Sequence, residues 1–147
     1  MNNTSKIQNK IISINDTIIF ALKQMDGHRT KLVFVFDGDR FESILTIGDI
    51  QRAIIRQANL SDSVSAILDR DKIYASDKDS LEHIKDVMFK ELIDCMPVLN
   101  DVGQLVDVIF WKDDIETQEG RQKMEIGVSF PFSGKASTVK YKVCLFK

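Results

Sequence analysis

The sequence predicts an α+β fold made of two tandem β-α-β-β-α units, and three observations support this prediction. Apolar residues at helical spacing alternate, twice along the chain, with short runs of β-branched and aromatic residues. Both halves keep the same order of helix-capping, apolar and turn positions. Three pairs of equivalent positions lie 63 residues apart (79 − 16, 88 − 25, 98 − 35): Asp16 and Asp79, Met25 and Met88, and Val35 and Val98. So regular an offset indicates a duplicated supersecondary unit.

The elements of the first unit follow from local patterns. Polar residues that can cap a helix stand before the apolar stripe that begins at Ile18, and Gly27 ends that stripe. Asp37 and Gly38 are typical of a tight turn between two strands. In order, we expect a strand over residues 10–14, a helix over Ile18–Met25, strands over Lys31–Phe36 and Phe41–Leu45, and a helix after Thr46 with Ile47, Ile50 and Ile54 on one side.

The second unit repeats this order after a linker, residues 60–68, that contains a short capped helix. Its first helix starts at Leu81 and carries Ile84, Val87 and Met88 on its apolar side. The remaining predicted elements are a strand over Met96–Leu99, a turn over Asn100–Gly103, a strand over Leu105–Trp111, and a helix that opens at Asp113 to Ile115. The turn is one residue longer than in the first unit, so the offset beyond it becomes 64.

In the stretch Ser43 to Ile54, the last strand of the first unit leads directly into a helix. Thr46 and Asp49 lie three residues apart at this junction. In one interpretation Thr46 is an N-cap and Asp49, at the third helical position, completes a capping box. In the other, the free backbone N–H groups of the helix N-terminus receive an anionic ligand, while Asp49 accepts hydrogen bonds from sugar hydroxyls. The junction alone does not separate these two interpretations.

Composition excludes several function classes. The formal net charge of -2 gives no general attraction to nucleic acid or to anionic membranes. No apolar run approaches the roughly 20 residues of a membrane span and no signal peptide is evident, so we expect a cytoplasmic protein. Cys95 and Cys144 lack the spacing of a redox or zinc site, and we expect buried free thiols. Nucleophile, acid–base and metal-ligand constellations are missing, so the chain is not expected to be an enzyme by itself.

Two tandem units that each end in an apolar strand, followed in the first unit by T-x-x-D, resemble a CBS-domain pair, the Bateman module, over Ile7–Ile115. The resemblance implies a first repeat over residues 7–60, a second over residues 61–115, and an extension over residues 116–147. It also implies sheets packed about a pseudo-two-fold axis, with two clefts that often hold AMP, ATP or S-adenosylmethionine. No other cofactor and no metal is implied.

The resemblance also implies site residues, taken position by position. Thr46 matches the hydroxyl that approaches a phosphate or ribose oxygen, and Asp49 matches the carboxylate that takes the ribose diol. Arg29 and Lys31 stand where phosphates sit, although charges after a helix C-terminus are also simply favoured there. The other expected ligand-binding residues are Ile47 beside the pair, Val33, Val35, Met96, Pro97 and Val98 on the strands around the base, and Asp113 in the second copy.

The second copy and position 43 depart from the family pattern. Phe110 stands where the hydroxyl residue belongs, and a phenyl ring cannot donate to a phosphate. That cleft is expected to bind an unphosphorylated nucleoside, to bind nothing, or to be filled by Phe110. Ser43 replaces the usual glycine and is expected to crowd the first cleft.

The extension contains two alternating stretches, Met124–Phe130 and Val139–Phe146, with residues 131–134 as a turn between them. A hairpin and an unrelated extension, disordered or acting as a dimer clasp, both remain open.

The expected function is a regulatory module, a homodimer that senses an adenosine-containing nucleotide. One alternative is a dimerisation module without ligand. Another is the truncated regulatory part of a sugar-phosphate nucleotidyltransferase, because Val106–Trp111 resembles the end of CBS pairs fused ahead of those enzymes. Their G-G-x-G-T-R start is absent from the sequence.

Overall fold

The computed structural model describes the backbone of residues 3–112, 123–132 and 135–144, and the side chains of residues 5–112. The chain divides into two compact units, residues 1–109 and residues 110–147. The first unit contains two three-stranded sheets with their helices, as an α+β fold of tandem repeats requires.

The first repeat is a mixed three-stranded sheet with helices. Its strands lie in the order β1-β2-β3, with β1 parallel and β3 antiparallel to β2. Gly38, with φ of 58°, makes the tight turn between β2 and β3 that only glycine adopts without strain. The elements are a 3-10 helix over Asn3–Lys10, β1 (Ile11–Ser13), α1 (Ile18–Gly27), β2 (Leu32–Asp37), β3 (Arg40–Thr46) and α2 (Ile47–Ile55).

The core of the first repeat is formed by apolar residues from β1, α1, β2, β3, α2 and the linker. Its buried members are Ile12, Ile14, Ile18, Ala21, Met25, Val33, Val35, Leu45, Ile50, Val64 and Leu68. The buried face of α2 differs from the sequence expectation, because Ile54 is 49% exposed whereas Ala53 is buried. The buried side of α2 runs through Asp49, Ile50 and Ala53. Because the helix has 3.6 residues per turn, Ile54 lies beside this buried side and faces solvent.

In its described residues, the second repeat follows the same order of elements as the first. Its strands lie in the order β4-β5-β6, with β4 parallel to β5. The segment expected to open a helix at Asp113 lies outside the described residues. After the linker, which contains a 3-10 helix over Val64–Ala66, the elements are β4 (Ala75–Ser76), α3 (Leu81–Lys90), β5 (Cys95–Leu99) and β6 (Leu105–Phe110).

The duplication extends to individual hydrogen bonds. Ile12 pairs with Val35, and 63 residues later Ala75 pairs with Val98. Both loops before the helices contain the same turn: Ser13 N donates to Asp16 over 2.7 Å, and Ser76 N donates to Asp79 over 2.8 Å. The caps Thr17 of α1 and Ser80 of α3 are also 63 residues apart. The repeat predicted from sparse sequence signals is therefore present in the backbone register.

The second unit contains an antiparallel pair, β7 (Lys123–Phe132) and β8 (Lys135–Cys144). Pairing extends to Phe132 opposite Lys135, so Pro131 and Phe132, which the sequence placed in a turn, belong to β7. In the part of the chain that the structure describes, no helix is long and apolar enough to cross a membrane.

Candidate functional site

The β3–α2 junction forms a complete capping box. The hydroxyl of Thr46 accepts from the backbone N–H of Asp49 over 3.2 Å. In return, the Asp49 carboxylate accepts from the backbone N–H of Thr46 over 2.8 Å and from its hydroxyl over 2.7 Å. The capping interpretation of the T-x-x-D sequence is therefore satisfied by the structure.

Two cations also reach the Asp49 carboxylate. Lys72 Nζ lies 2.9 Å from Oδ1 and 2.8 Å from Oδ2, so the ammonium bridges both oxygens. Arg52, one turn along α2, donates to Oδ1. The side chain of Asp49 is 4% exposed, that of Lys72 is 17% exposed, and that of Arg52 is 58% exposed. Lys72 is thus the sheltered partner and Arg52 the solvated one.

The charge state of Asp49 follows from these contacts. Burial acts to raise its pKa, but hydrogen bonds from Lys72 and from both donors of Thr46, together with the positive charge of Lys72, outweigh burial and lower the pKa below the usual value of 3.8. Asp49 is therefore an ionised carboxylate at neutral pH. Such a group only accepts hydrogen bonds, so a sugar hydroxyl that bonds it must act as the donor.

Lys72 belongs to a connection between the repeats, residues 69–74, which we call the inter-repeat segment. Ser43 on β3 holds this segment, because its buried hydroxyl donates to the backbone oxygen of Asp69 over 2.6 Å and bonds the Tyr74 hydroxyl at 2.9 Å. The Tyr74 ring packs edge-on against Phe41. The sequence led us to expect that Ser43 crowds the first cleft; in the structure its hydroxyl bonds the segment that carries Lys72.

A cavity of about 490 Å³ opens beside Asp49, between α2 and residues 66–69 at the end of the linker. This volume lies in the range of sites for small molecules, roughly 300–1,000 Å³. Two arginines one helical turn apart, Arg52 and Arg56, and apolar side chains share its wall. The lining residues are Asp49, Arg52, Ala53, Arg56, Ala58, Ala66, Ile67, Leu68 and Asp69.

The structure brings together only some of the predicted site residues. Thr46 and Asp49 are in contact, and the backbone N–H of Ile47 donates to the carbonyl of Lys31 over 2.8 Å. The side chains of Arg29 and Lys31 are exposed. Phe110, at the end of β6, is half-buried, and Asp113 lies outside the described residues.

The strand residues expected around a base have no exposed side chains. All five are buried: Val33, Val35, Met96, Pro97 and Val98. Their side chains offer no surface in this conformation, so contact with a base requires backbone groups or a change of packing.

Sequence reasoning missed Lys72 and Arg52. Arg52 carries a usable signal, because a residue three positions after Asp49 lies on the same helix face. Lys72 carries none, since it is 23 residues from Asp49 and reaches it only through the path of the inter-repeat segment.

Comparison with known proteins identifies the fold. The CBS domain pair of MJ0100, in complex with 5′-methylthioadenosine and S-adenosyl-L-methionine, superposes with a TM-score of 0.58 at 22% identity, over 72% of this chain and 84% of that one. A CBS domain protein of Pyrobaculum aerophilum complexed with AMP superposes with a TM-score of 0.58 at 22% identity, over 70% of this chain and 80% of that one. The fold of this protein is that of a CBS-domain pair.

One curated protein is similar in sequence. A homoserine O-acetyltransferase of Methanobrevibacter ruminantium is 35% identical over 91 residues, which are 61% of this chain. The match spans only 18% of the length of that protein. No family model matches the sequence.

Proposed function

We propose that this protein is a regulatory module that binds an adenosine-containing nucleotide at Thr46 and Asp49. The observation that carries the proposal is the Asp49 carboxylate, ionised, 4% exposed and placed at the wall of a cavity large enough for a nucleotide. The two CBS-pair neighbours with adenosine compounds support the choice of ligand class. AMP, ATP and S-adenosylmethionine are the candidate ligands, and the module itself carries out no reaction.

The regulatory part of the proposal rests on the contact between the Asp49 site and the inter-repeat segment. Asp49 is bonded to Lys72, and Lys72 belongs to the inter-repeat segment that joins the two repeats. A ligand that binds Asp49 changes the partners of that segment. A signal passes only if the ligand prefers one of two arrangements of the segment.

The output partner is a second part of the proposal. We propose a homodimer that controls a catalytic domain, as the sequence suggested for a sugar-phosphate nucleotidyltransferase. The curated relative offers another candidate, because the similar region forms a small part of a protein named as an O-acetyltransferase. Co-purification of the chain with either enzyme, expressed from the same genome, would discriminate between them.

A second function, a dimerisation module without ligand, is favoured by a specific observation. The Asp49 carboxylate already receives four donors, Thr46 N and Oγ1, Arg52 and Lys72. A group so fully bonded is satisfied without any ligand, and the site then serves to join the inter-repeat segment to α2.

Thermal unfolding with AMP, ADP, ATP and S-adenosylmethionine tests the proposed function. A ligand at a hundred times its Kd adds about 2.7 kcal/mol to the free energy of unfolding if it binds only the folded protein. We expect a shift in Tm with at least one of these ligands, and its loss in Asp49→Asn. The matched control is Asp101→Asn, whose carboxylate is 70% exposed and paired with Lys78; it should keep the shift.

Two outcomes would contradict the proposal. A shift that persists in Asp49→Asn would place the ligand elsewhere. No shift with any of the four ligands, for a chain whose circular dichroism shows that it is folded, would favour the dimerisation module.

A further inference from the structure

We infer that Lys72 makes the Asp49 site selective for nucleotides that carry a phosphate over unphosphorylated nucleosides. This inference rests on the proposed function and names the chemical class of its ligand. A ribose must displace Lys72 from Asp49, and only a ligand with its own anionic group gives the displaced ammonium a new partner.

The first step is that Asp49 has no vacant acceptor position. Its Oδ2 receives the N–H of Thr46, the hydroxyl of Thr46 and Lys72, while Oδ1 receives Arg52 and Lys72. A carboxylate offers about four lone-pair directions, and five contacts exceed that number. A vicinal diol, which needs two acceptor positions, can enter only where a present donor leaves.

The second step is that Lys72 occupies the position that the diol needs. Two neighbouring hydroxyls bind a carboxylate best by donating one bond to each oxygen. Lys72 is the donor that spans both oxygens, at 2.9 and 2.8 Å, whereas Arg52 reaches Oδ1 alone. The Thr46 donors are fixed by the helix cap. Departure of Lys72 therefore opens the bridging position, and departure of Arg52 does not.

The third step is the fate of the displaced ammonium. Lys72 is 17% exposed, and after displacement its nearest remaining carboxylate is that of Asp69, at 3.8 Å. A sheltered charge that loses a close partner is destabilised. A nucleoside offers no negative charge in exchange, but a phosphate offers up to two and accepts several hydrogen bonds.

The surroundings can accommodate a phosphate. The cavity beside Asp49 is lined by Arg52 and Arg56 as well as by Asp69. Arg52 is 58% exposed and can turn from Asp49 to another anion at little cost. When a nucleoside enters, Lys72 loses its closest partner and keeps only Asp69, at 3.8 Å, whereas a phosphate gives the displaced ammonium a second anion.

The experiment is calorimetric titration of the full chain with AMP and with adenosine, for the natural sequence, Lys72→Met and Lys78→Met. Methionine keeps the length of the lysine stem but removes its charge. Lys78 is the matched control, because it also pairs with an aspartate, Asp101, but is 70% exposed.

We expect AMP to bind the natural sequence about tenfold or more tightly than adenosine, the equivalent of one charge-assisted hydrogen bond. In Lys72→Met the preference should be clearly smaller, because adenosine gains access to Asp49 and AMP loses one of its cationic partners while Arg52 and Arg56 remain. Lys78→Met should keep the full preference.

The outcomes separate this inference from the proposed function. Binding of both ligands with a preference that Lys72→Met leaves unchanged would overturn the role of Lys72 but keep the nucleotide site. Equal affinities for AMP and adenosine in the natural sequence would also overturn it. Absence of binding by all three folded chains would contradict the proposed function itself.

Discussion

Ser43 and Asp49 are the buried polar residues among the side chains that the structure describes. Both bond the inter-repeat segment, Ser43 through Asp69 and Tyr74, and Asp49 through Lys72. A buried polar group is tolerated when it is hydrogen-bonded, and here the bonds connect β3 and α2 to the chain that leads into the second repeat. At the residue scale, these two side chains determine where the segment lies.

The stability contributed by Asp49 should depend on pH. Because its pKa in the folded protein is lowered, its ionised form favours folding; the contribution is complete above the unfolded value, near 3.8, and is lost as the pH falls through the lower folded pKa. We expect Asp49→Asn to lower the free energy of unfolding by about 1–3 kcal/mol at pH 7. Urea denaturation between pH 3 and pH 7 measures this difference.

The difference between the natural sequence and Asp49→Asn should shrink only at the acidic end of that range. Asp101→Asn serves as the control, because its exposed ion pair with Lys78 contributes little. An equal loss at every pH would show that the carboxylate charge is not what stabilises the junction.

The Tyr74 hydroxyl provides a second test of the segment. Tyr74→Phe removes the hydrogen bond to Ser43 but keeps the edge-on contact with Phe41. We expect a loss of about 0.5–1.5 kcal/mol in the free energy of unfolding. Limited trypsin digestion should also cut faster after Arg70 and Lys72, because the segment is held less firmly. Unchanged cleavage would mean that the remaining contacts hold the segment without Tyr74.

At the scale of elements, α1 and α3 show how the duplication works. Both helices have a hydroxyl N-cap, and both are followed by a residue with positive φ, Arg29 at 50° and Leu92 at 54°. A left-handed residue ends a helix by letting the following N–H groups bond its last carbonyls, as Thr30 does with Met25 and Ile93 with Met88. Neither position is glycine, so both carry backbone strain.

Leu92 should be replaceable with a gain in stability. Its side chain is 88% exposed, so little packing is lost, and asparagine tolerates the left-handed conformation better than leucine. We expect Leu92→Asn to raise the free energy of unfolding by about 0.5–1 kcal/mol, measured by urea denaturation. A loss of stability that depends on protein concentration would instead show that Leu92 packs against a second copy of the chain.

At the scale of the whole first unit, the linker belongs to the core of the first repeat. Val64 and Leu68 pack with α1, β2 and β3 residues, and the backbone around them bonds the start of α1, as in Ile18 N to Asp62 O over 3.0 Å. The chain therefore closes the first repeat before it enters the second. A disturbance in the linker should destabilise the first repeat directly.

Val64→Ala tests this packing. We expect a loss of roughly 1–3 kcal/mol in the free energy of unfolding, from the removed methyl groups and the space they leave. The measurement is urea denaturation followed by circular dichroism. Val102→Ala, at a position that is 77% exposed, is the matched control and should change the free energy of unfolding by less than about 0.5 kcal/mol. Equal effects of the two substitutions would contradict the role of the linker in the core.

Much of the fold was predictable because its signals are local. Apolar spacing and turn residues predicted β2, β3, β5 and α1 to within a residue or two, and the 63-residue offset predicted the duplication. The sequence erred at Ile54, because three isoleucines look alike in a periodic pattern while only the packing of α2 decides which of them is covered. The position of the Thr46 and Asp49 pair was predictable for the same local reason.

The sequence by itself determined the repeated α+β fold and the capping box at the start of α2, because both depend on residues that are neighbours along the chain. Only the tertiary structure decided what surrounds the Asp49 carboxylate. Lys72 reaches it from 23 residues away, and Ser43 holds the segment that brings Lys72 there. Contacts of that kind depend on the path of the backbone in space, which leaves no pattern in the neighbouring residues.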